Sequence, residues 1–369
     1  MIPVNLRGAA DINVAKDAYI GQSILVTGAG GSIGSALCQK LMSLRPKRLV
    51  LFELSEFALY SIQRALSDHP ELNSVEIVPV LGSVRDAAHI RHVLRRYHID
   101  IVLHAAAYKH VPLAETNALV VATNNVLGTH VVASEAARFG VGRFMLISSD
   151  KAVRPANVMG ASKRLAEHAV QYLQDRHPET AFGIVRFGNV AGSSGSVVPL
   201  FQDQIRKGGP ITITHPGMMR YFMSVDEAVA LVLLTGTMAC HGNIYVLDMG
   251  EPWRIEALAR QMVKAAGKSL RTKDTPDGDI EIAISGLRPG EKLMEELSVT
   301  RPLLPTDHPK ILRARDPRLP ALKAASMLRD VQAAANSYDA DAMTRALRQW
   351  AEGYDARPDD PLRIAQDTS

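Results

Sequence analysis

The strongest constraint on this chain is an alternation that runs through its first half. Short apolar runs, "SILVTG" (23–28), "RLVLFEL" (48–54), "VEIVPVLG" (75–82), "IDIVLHAAA" (99–107) and "RFMLISS" (143–149), each read as a buried strand. Between them lie segments of helical period such as "SIGSALCQKLMSL" and "DAAHIRHVLRRYH". Strands that alternate with helices pair in parallel and are covered on both faces. The pattern loosens after about residue 190, where Gly/Ser/Pro-rich loops ("AGSSGSVVP", "KGGPITITHPG", "GLRPGEK") interrupt helices and short strands.

The first loop carries a chemical signal. "TGAGGSIG" follows an apolar run and opens a helix, placing Gly28, Gly31 and Gly34 in a G-x-x-G-x-x-G array. Glycines there permit a tight turn and close approach of backbone to a pyrophosphate. The free N–H groups of the helix start then face the phosphates. Thr27, Gly28, Gly30, Gly31, Ser32, Ile33 and Gly34 are the expected contacts. Glu53, 19 residues after Gly34, ends the next strand. A carboxylate in that place accepts ribose hydroxyls and repels a 2′-phosphate, which favours NAD over NADP. Gly82, Ser83 and Val84 are placed to hold the adenine. Ala105, Ala106 and Ala107 are small enough for the cofactor to lie over the fourth strand. The expected fold class is therefore α/β: a Rossmann-type doubly wound parallel sheet with a smaller α/β substrate-binding lobe. The expected divisions are an N-terminal extension (1–22), an NAD-binding domain with the catalytic segment (23–190), a substrate lobe with some crossing back (191–320), and C-terminal helices with a tail frayed from Pro358 (321–369).

Composition removes several classes. The 369 residues are 47% apolar, enough for a sizeable core, and no stretch approaches the roughly 20 apolar residues of a membrane span. "AVALVLLTGTMA" from Ala228 follows Asp226 and Glu227 and reads as a capped, packed helix. No signal peptide is evident. Cys38 and Cys240 sit far apart in apolar helical contexts, without metal spacing or a disulfide framework, which suits a cytoplasmic setting. The net charge of +4 is scattered. Without a basic block interleaved with aromatics, nucleic acid is a poor partner and an anionic small molecule a better one.

"SSDKAVRPANVMGASKR" (148–164) resembles the active-site segment of a short-chain dehydrogenase/reductase, in which a Tyr-x-x-x-Lys pair does the chemistry. Here the lysine is Lys163 and the residue four earlier is Met159, which has no proton to exchange. Asp150 and Lys151 follow the "FMLIS" strand. Neighbouring side chains on a regular strand face opposite ways, so both reach one ligand only if the strand breaks there. With "HAAAYKHVPLAE", "NNVLGT", "VRFGNVAGSSGSVVPLF", "MRYFMSVDEA" and "GLRPGEKLMEEL" in order, the chain resembles the nucleotide-sugar 4,6-dehydratases of the extended short-chain dehydrogenase/reductase family. The likeness is to the bacterial polysaccharide-biosynthesis branch acting on UDP-N-acetylglucosamine, where methionine for tyrosine is a known variant. Members often carry a membrane region before the catalytic part, and this chain looks like the soluble portion.

The resemblance implies oxidation at C4 by NAD, loss of water across C5 and C6, and return of hydride to C6. It makes Asp150 the acid at O6 and Lys151 the base at C5, with a pKa lowered by the pyridinium, by Lys163 and by desolvation. Lys163 is to hold the nicotinamide ribose, and Met159 to pack and line the sugar pocket. Ser149 is the nearest hydroxyl for relaying the O4 proton, with Asp150, a water or Tyr108 still open. In the second lobe, Asn189 and Ser196 are expected near the substrate, Arg220 and Arg288 on its phosphates, and Glu291 on the uridine ribose. The backbone of "ITIT" (211–214) is to read the uracil, and Lys109 and His110 to border the sugar. The methionine branch suggests retention at C5, and a homodimer through helices of the first domain is expected. The competing readings are a nucleotide-sugar 4-epimerase, which needs no Asp–Lys pair, and a non-catalytic NAD-binding relative.

Overall fold

The structure is a computed structural model that describes residues 11–193, 195–300 and 302–354. The first ten residues of the N-terminal extension and the tail from Pro358 lie outside them. At its centre runs β1 (Ser23–Thr27), buried along its whole length. It pairs in parallel with β2 (Arg48–Glu53) on one side and β4 (Ile101–His104) on the other. Outwards lie β3 (Glu76–Leu81) beyond β2, and β5 (Arg143–Ile147) and β6 (Ala181–Arg186) beyond β4. The order β3-β2-β1-β4-β5-β6 reverses direction between β1 and β4. That reversal opens a crevice at the carboxyl ends of the strands, where open sheets bind ligands.

The chain after β6 does not stay in the second lobe. Asn243–Leu247 returns to the main sheet beside β6, and Ile311–Ala314 and Leu304–Pro305 extend it antiparallel. The rest of the lobe packs Val198, Phe201, Ile211, Ile213, Phe222 and Leu258 together, with Ile211–Ile213 paired to Ile282–Ile284. One expected buried strand differs. β3 is half-exposed and contains Pro79, because it is an edge with a neighbour on only one side. Cys240 lies beyond its helix, which ends at Thr237, and both cysteines are free.

The helices begin where side chains can replace the missing backbone partners. Asp86 caps Ala87–Tyr97, Ser224 caps Val225–Thr237, and Asn157 caps Val158–Arg176. Val225–Thr237 is buried from Glu227 to Gly236, as its apolar run requires, and no helix of the described residues is long and apolar enough to cross a membrane. Val158–Arg176 is buried on nearly every face. The C-terminal helices Ala321–Asn336 and Ala340–Trp350 cover it, seating Met327, Val331, Met343 and Leu347 against Leu165 and Ala169. That face of the long helix is thus covered within the chain itself.

Behind the sheet edge lies a buried ionic cluster. Arg186, at the end of β6, donates to both oxygens of Glu167 (2.7 and 2.6 Å) and to Asp316 (2.5 Å). Arg164 and Ser148 also donate to Glu167, at 3.0 and 2.7 Å, while Ser298 and the Val299 N–H donate to Asp316. Burial pushes the Glu167 carboxyl up, but Arg186 and the hydrogen bonds outweigh it and hold it down at about 2. Burial pushes His104 down to about 3, assisted by Lys163, where it bridges Thr27 and Thr129. His168 is likewise pushed to about 3, by burial and then Arg164.

Two outcomes follow from these groups. Arg186→Met should cost about 3–5 kcal/mol in urea denaturation, since it strands two buried carboxylates. For all three titrating groups the folded pKa lies below the unfolded one. Their stabilisation is therefore present above the unfolded value and lost as pH falls through the folded value. Stability should decline below about pH 6.5 as the unfolded chain's histidines take up protons, and Glu167 should add to the decline from about 4.5 down to 2.

Candidate active site

Strand β5 stops at Ile147, and Ser149 caps a short 3-10 turn over Asp150–Ala152. The chain therefore breaks where Asp150 and Lys151 need it to. Both side chains meet: Lys151 Nζ lies 3.1 Å from Asp150 Oδ1, which also accepts from Ser149 Oγ at 3.0 Å. Asp150 is 1% exposed, and its Oδ2 has no partner among the described residues. Gly188 leaves the space beside that oxygen, since a Cβ there would stand 2.8 Å from it.

Lys151 Nζ also approaches Asn189 Oδ1 and Glu295 Oε1, each at 3.5 Å. Burial pulls its pKa down, but the charges of Asp150 and Glu295 outweigh this and hold it above the ordinary lysine value. The expected lowering belongs instead to Lys163, which burial pushes down to about 8. The cause is the partners: two carboxylates face Lys151, whereas Lys163 donates to the Ile147 carbonyl at 2.7 Å. Met159 is 4% exposed and packs in the apolar cluster beneath the C-terminal helices. These contacts give it the packing role.

The crevice beside β1 is lined by Gly28, Gly30, Gly31, Glu53, Gly82, Ser83, Val84, Ala105, Ala106 and Ala107, together with Tyr108 and Asn124. Gly28 has φ +65°, and a Cβ on it would lie 2.7 Å from the Ala106 backbone. Gly34 would drive a Cβ to 2.0 Å from the Gly28 carbonyl oxygen. The Glu53 carboxylate accepts from the N–H groups of Gly30, Leu54 and Ser55, which aims it along the glycine turn. Thr27 is buried below this surface, bonded to His104 and Ala106, so it supports the cleft without lining it. Ser32 and Ile33 open the helix Ser32–Met42.

The residues expected around the substrate have the following partners among the described residues. Lys109 Nζ reaches Ser32 Oγ at 3.4 Å, at the glycine turn. His110 lies against Gly195, and Ser196 Oγ is buried without a partner among the described residues. Arg220 is engaged by Glu291 (3.7 Å), Glu295 (3.9 Å) and the carbonyls of Met219 and Leu293. Glu291 accepts from the Arg288 N–H. The backbone of 211–213 is paired on one edge, and Gln204 accepts from the Thr212 N–H on the other. A nucleobase would have to displace that glutamine.

Two features are not apparent in the sequence. Glu295 stands in "GEKLMEEL" with Glu291 and Glu296 close by, and spacing does not say which faces the lysine. Asn125, in a π-helical turn at 123–128, bonds both backbone groups of Tyr108 and also Ser162. Such turns often mark functional sites, but "NNVLGT" alone does not announce one.

The sheet order, the glycine turn and the Ser149–Asp150–Lys151 break with Lys163 behind it define an extended short-chain dehydrogenase/reductase. The family described as "Polysaccharide biosynthesis protein" matches residues 24–316, and the chain belongs to it. It is 48% identical to the capsular polysaccharide biosynthesis protein CapD of Staphylococcus aureus over 75% of this chain and 45% of that protein, so it spans about half of that relative's length. It is 33% identical to the UDP-glucose 4-epimerase of Rickettsia massiliae, over 76% and 78% of the two chains. Among solved structures, Pen from Bacillus thuringiensis superposes with a TM-score of 0.70 at 28% identity, over 81% of this chain and 90% of that one. The dTDP-glucose 4,6-dehydratase DesIV of Streptomyces venezuelae, solved with NAD bound, shares the fold at 22% identity and a TM-score of 0.63, over 74% and 88%.

Met159→Leu conserves volume and apolar character, so it should cost under about 1.5 kcal/mol in thermal denaturation. Turnover should stay within a few-fold of the unsubstituted protein. A folded but inactive variant would give the sulfur a role that its packing does not explain.

Proposed function

We propose that the protein is an NAD-dependent UDP-N-acetylglucosamine 4,6-dehydratase, a lyase forming a 4-keto-6-deoxy sugar nucleotide for surface glycans. The observation that carries this is the contiguous, hydrogen-bonded Ser149–Asp150–Lys151 array at the end of β5, in which Asp150 is buried and its Oδ2 has no partner among the described residues. A 4-epimerase oxidises and reduces at C4 alone and needs neither an acid at O6 nor a base at C5.

The cleft fits the cofactor. Its glycines leave the backbone bare at the turn, Glu53 sits where a 2′-phosphate would meet like charge, and Lys163 Nζ is held beside the end of β5 for the nicotinamide ribose. NAD held there would supply the hydride acceptor for C4 and the hydride donor for C6. The protein's own task is to move protons. Ser149 Oγ already donates to Asp150, so a proton leaving O4 passes through the serine to Asp150. Asp150, now an acid, gives that proton to the departing O6 hydroxyl and is a carboxylate again. Lys151 takes the C5 proton and returns one to the same face, which retains configuration. The count closes without a tyrosine, which is why a methionine is tolerated at 159. Acid–base groups of this kind contribute about 10²–10⁴-fold each.

Asn189, Ser196 and His110 border the sugar and diphosphate side, and Arg220, Arg288 and Glu291 take the nucleotide, exchanging some of their present partners for it. The carboxylates around Arg220 keep it in place until an anionic ligand arrives.

The test is to incubate the purified protein with UDP-N-acetylglucosamine in D2O and follow products by NMR. The expected product is the 4-keto-6-deoxy sugar with deuterium at C5 and no net consumption of NAD. A C4 epimer free of deuterium would contradict the proposal and make the protein an epimerase.

A further inference from the structure

Lys151 cannot act as a base in the state in which the site holds it. Three acceptors surround its Nζ, namely Asp150 Oδ1 at 3.1 Å, Asn189 Oδ1 at 3.5 Å and Glu295 Oε1 at 3.5 Å. That matches the three donors of an ammonium. To take a proton from carbon it must first lose one, and the structure limits where that proton goes. An amide is no proton acceptor, which removes Asn189. Asp150, in the dehydratase mechanism, already carries the O4 proton and must keep it for O6. Glu295 remains, its side chain 5% exposed.

We infer that Glu295 is the proton acceptor of Lys151, the group that turns its ammonium into the free amine the elimination needs. This rests on the dehydratase reading and adds a catalytic residue to it. The step is a single proton transfer: an N–H bond of Lys151 breaks, an O–H bond of Glu295 forms, and a buried ion pair becomes a neutral pair. Its trigger is built in. While Asp150 is a carboxylate, it and Glu295 together hold Lys151 charged. Once Asp150 has taken the O4 proton, that support is gone, and burial and the nearby Arg220 both favour the amine. The base thus forms only after C4 has been oxidised, when the C5 proton has become acidic. Arg220 stands 3.9 Å from Glu295 and so belongs to the same charged group.

The location of Glu295 makes this a lobe-dependent switch. Its segment is tied to the catalytic turn by Asn157 to the Gly290 carbonyl (3.0 Å), Lys292 to the Val153 carbonyl (3.2 Å) and Arg154 to Glu296. A nucleotide that draws on Arg220 or Glu291 therefore acts on the same short stretch that presents Glu295 to Lys151.

Glu295→Gln tests the assignment, because holding a charge and accepting a proton predict opposite results. Without substrate, competitive acylation of Lys151 by acetic anhydride, read by mass spectrometry, should be faster in the variant, since one of the two carboxylates that keep the amine protonated is gone. With UDP-N-acetylglucosamine, stopped-flow absorbance of the reduced cofactor should show C4 oxidation within a few-fold of the unsubstituted protein. Deuterium entry at C5 should nevertheless fall by about 10²–10⁴-fold, and Glu295→Asp should recover part of it. If C5 exchange in Glu295→Gln is unchanged or faster, Glu295 only holds charge and the inference is wrong. It is equally wrong if oxidation and exchange fall together. An unsubstituted protein that oxidises C4 yet never exchanges C5 would overturn the dehydratase reading itself, and that failure is read from a separate sample.

Discussion

Glu167 and Arg186, both fully buried, join with Asp316 three separate pieces of chain. Arg186 ends β6, Glu167 lies on the long helix that also carries Met159 and Lys163, and Asp316 closes the last crossing of the substrate lobe. Ser148 donates to the same glutamate, so the residue just after the end of β5 is anchored from behind. The geometry of Ser149, Asp150 and Lys151 depends on that stop. Buried ion pairs add little net stability compared with apolar packing, and what this one supplies is position.

In the proposed mechanism a methionine in place of the expected tyrosine is tolerable, because the proton route needs no group at 159. Ser149, Asp150 and Lys151 are adjacent in sequence and hydrogen-bonded in space. The tyrosine's place in the helix is filled by a side chain that packs under the C-terminal pair. On the same proposal Lys163 has only the nicotinamide ribose to hold. Its amine, bonded to a carbonyl and pushed down to about 8 by burial, is less strongly charged than that of Lys151.

Much of this is readable from residues. The alternation of apolar runs and helical segments implies the sheet, and the glycine turn with Glu53 implies the cleft, because each is a local pattern with a local cause. The strand break that Asp150 and Lys151 require is present. What cannot be read depends on distant partners. β3 looks like any buried strand until its missing neighbour is known. A lowered pKa for Lys151 is the natural expectation because Glu295 lies far along the chain, in a stretch with three candidate carboxylates. The motif around Lys109 points to the sugar, yet its long side chain reaches Ser32.

The central claim is that one carboxylate, Asp150, receives the proton of O4 and delivers it to O6. Single-turnover stopped flow on Asp150→Asn, watching reduced cofactor form and decay with UDP-N-acetylglucosamine, addresses it directly. If Asp150 serves both steps, the initial rise slows by about 10²-fold or more and no elimination follows. A rise of normal rate and amplitude that then fails to decay would contradict the claim, because O4 would have found another base and Asp150 would act at O6 alone.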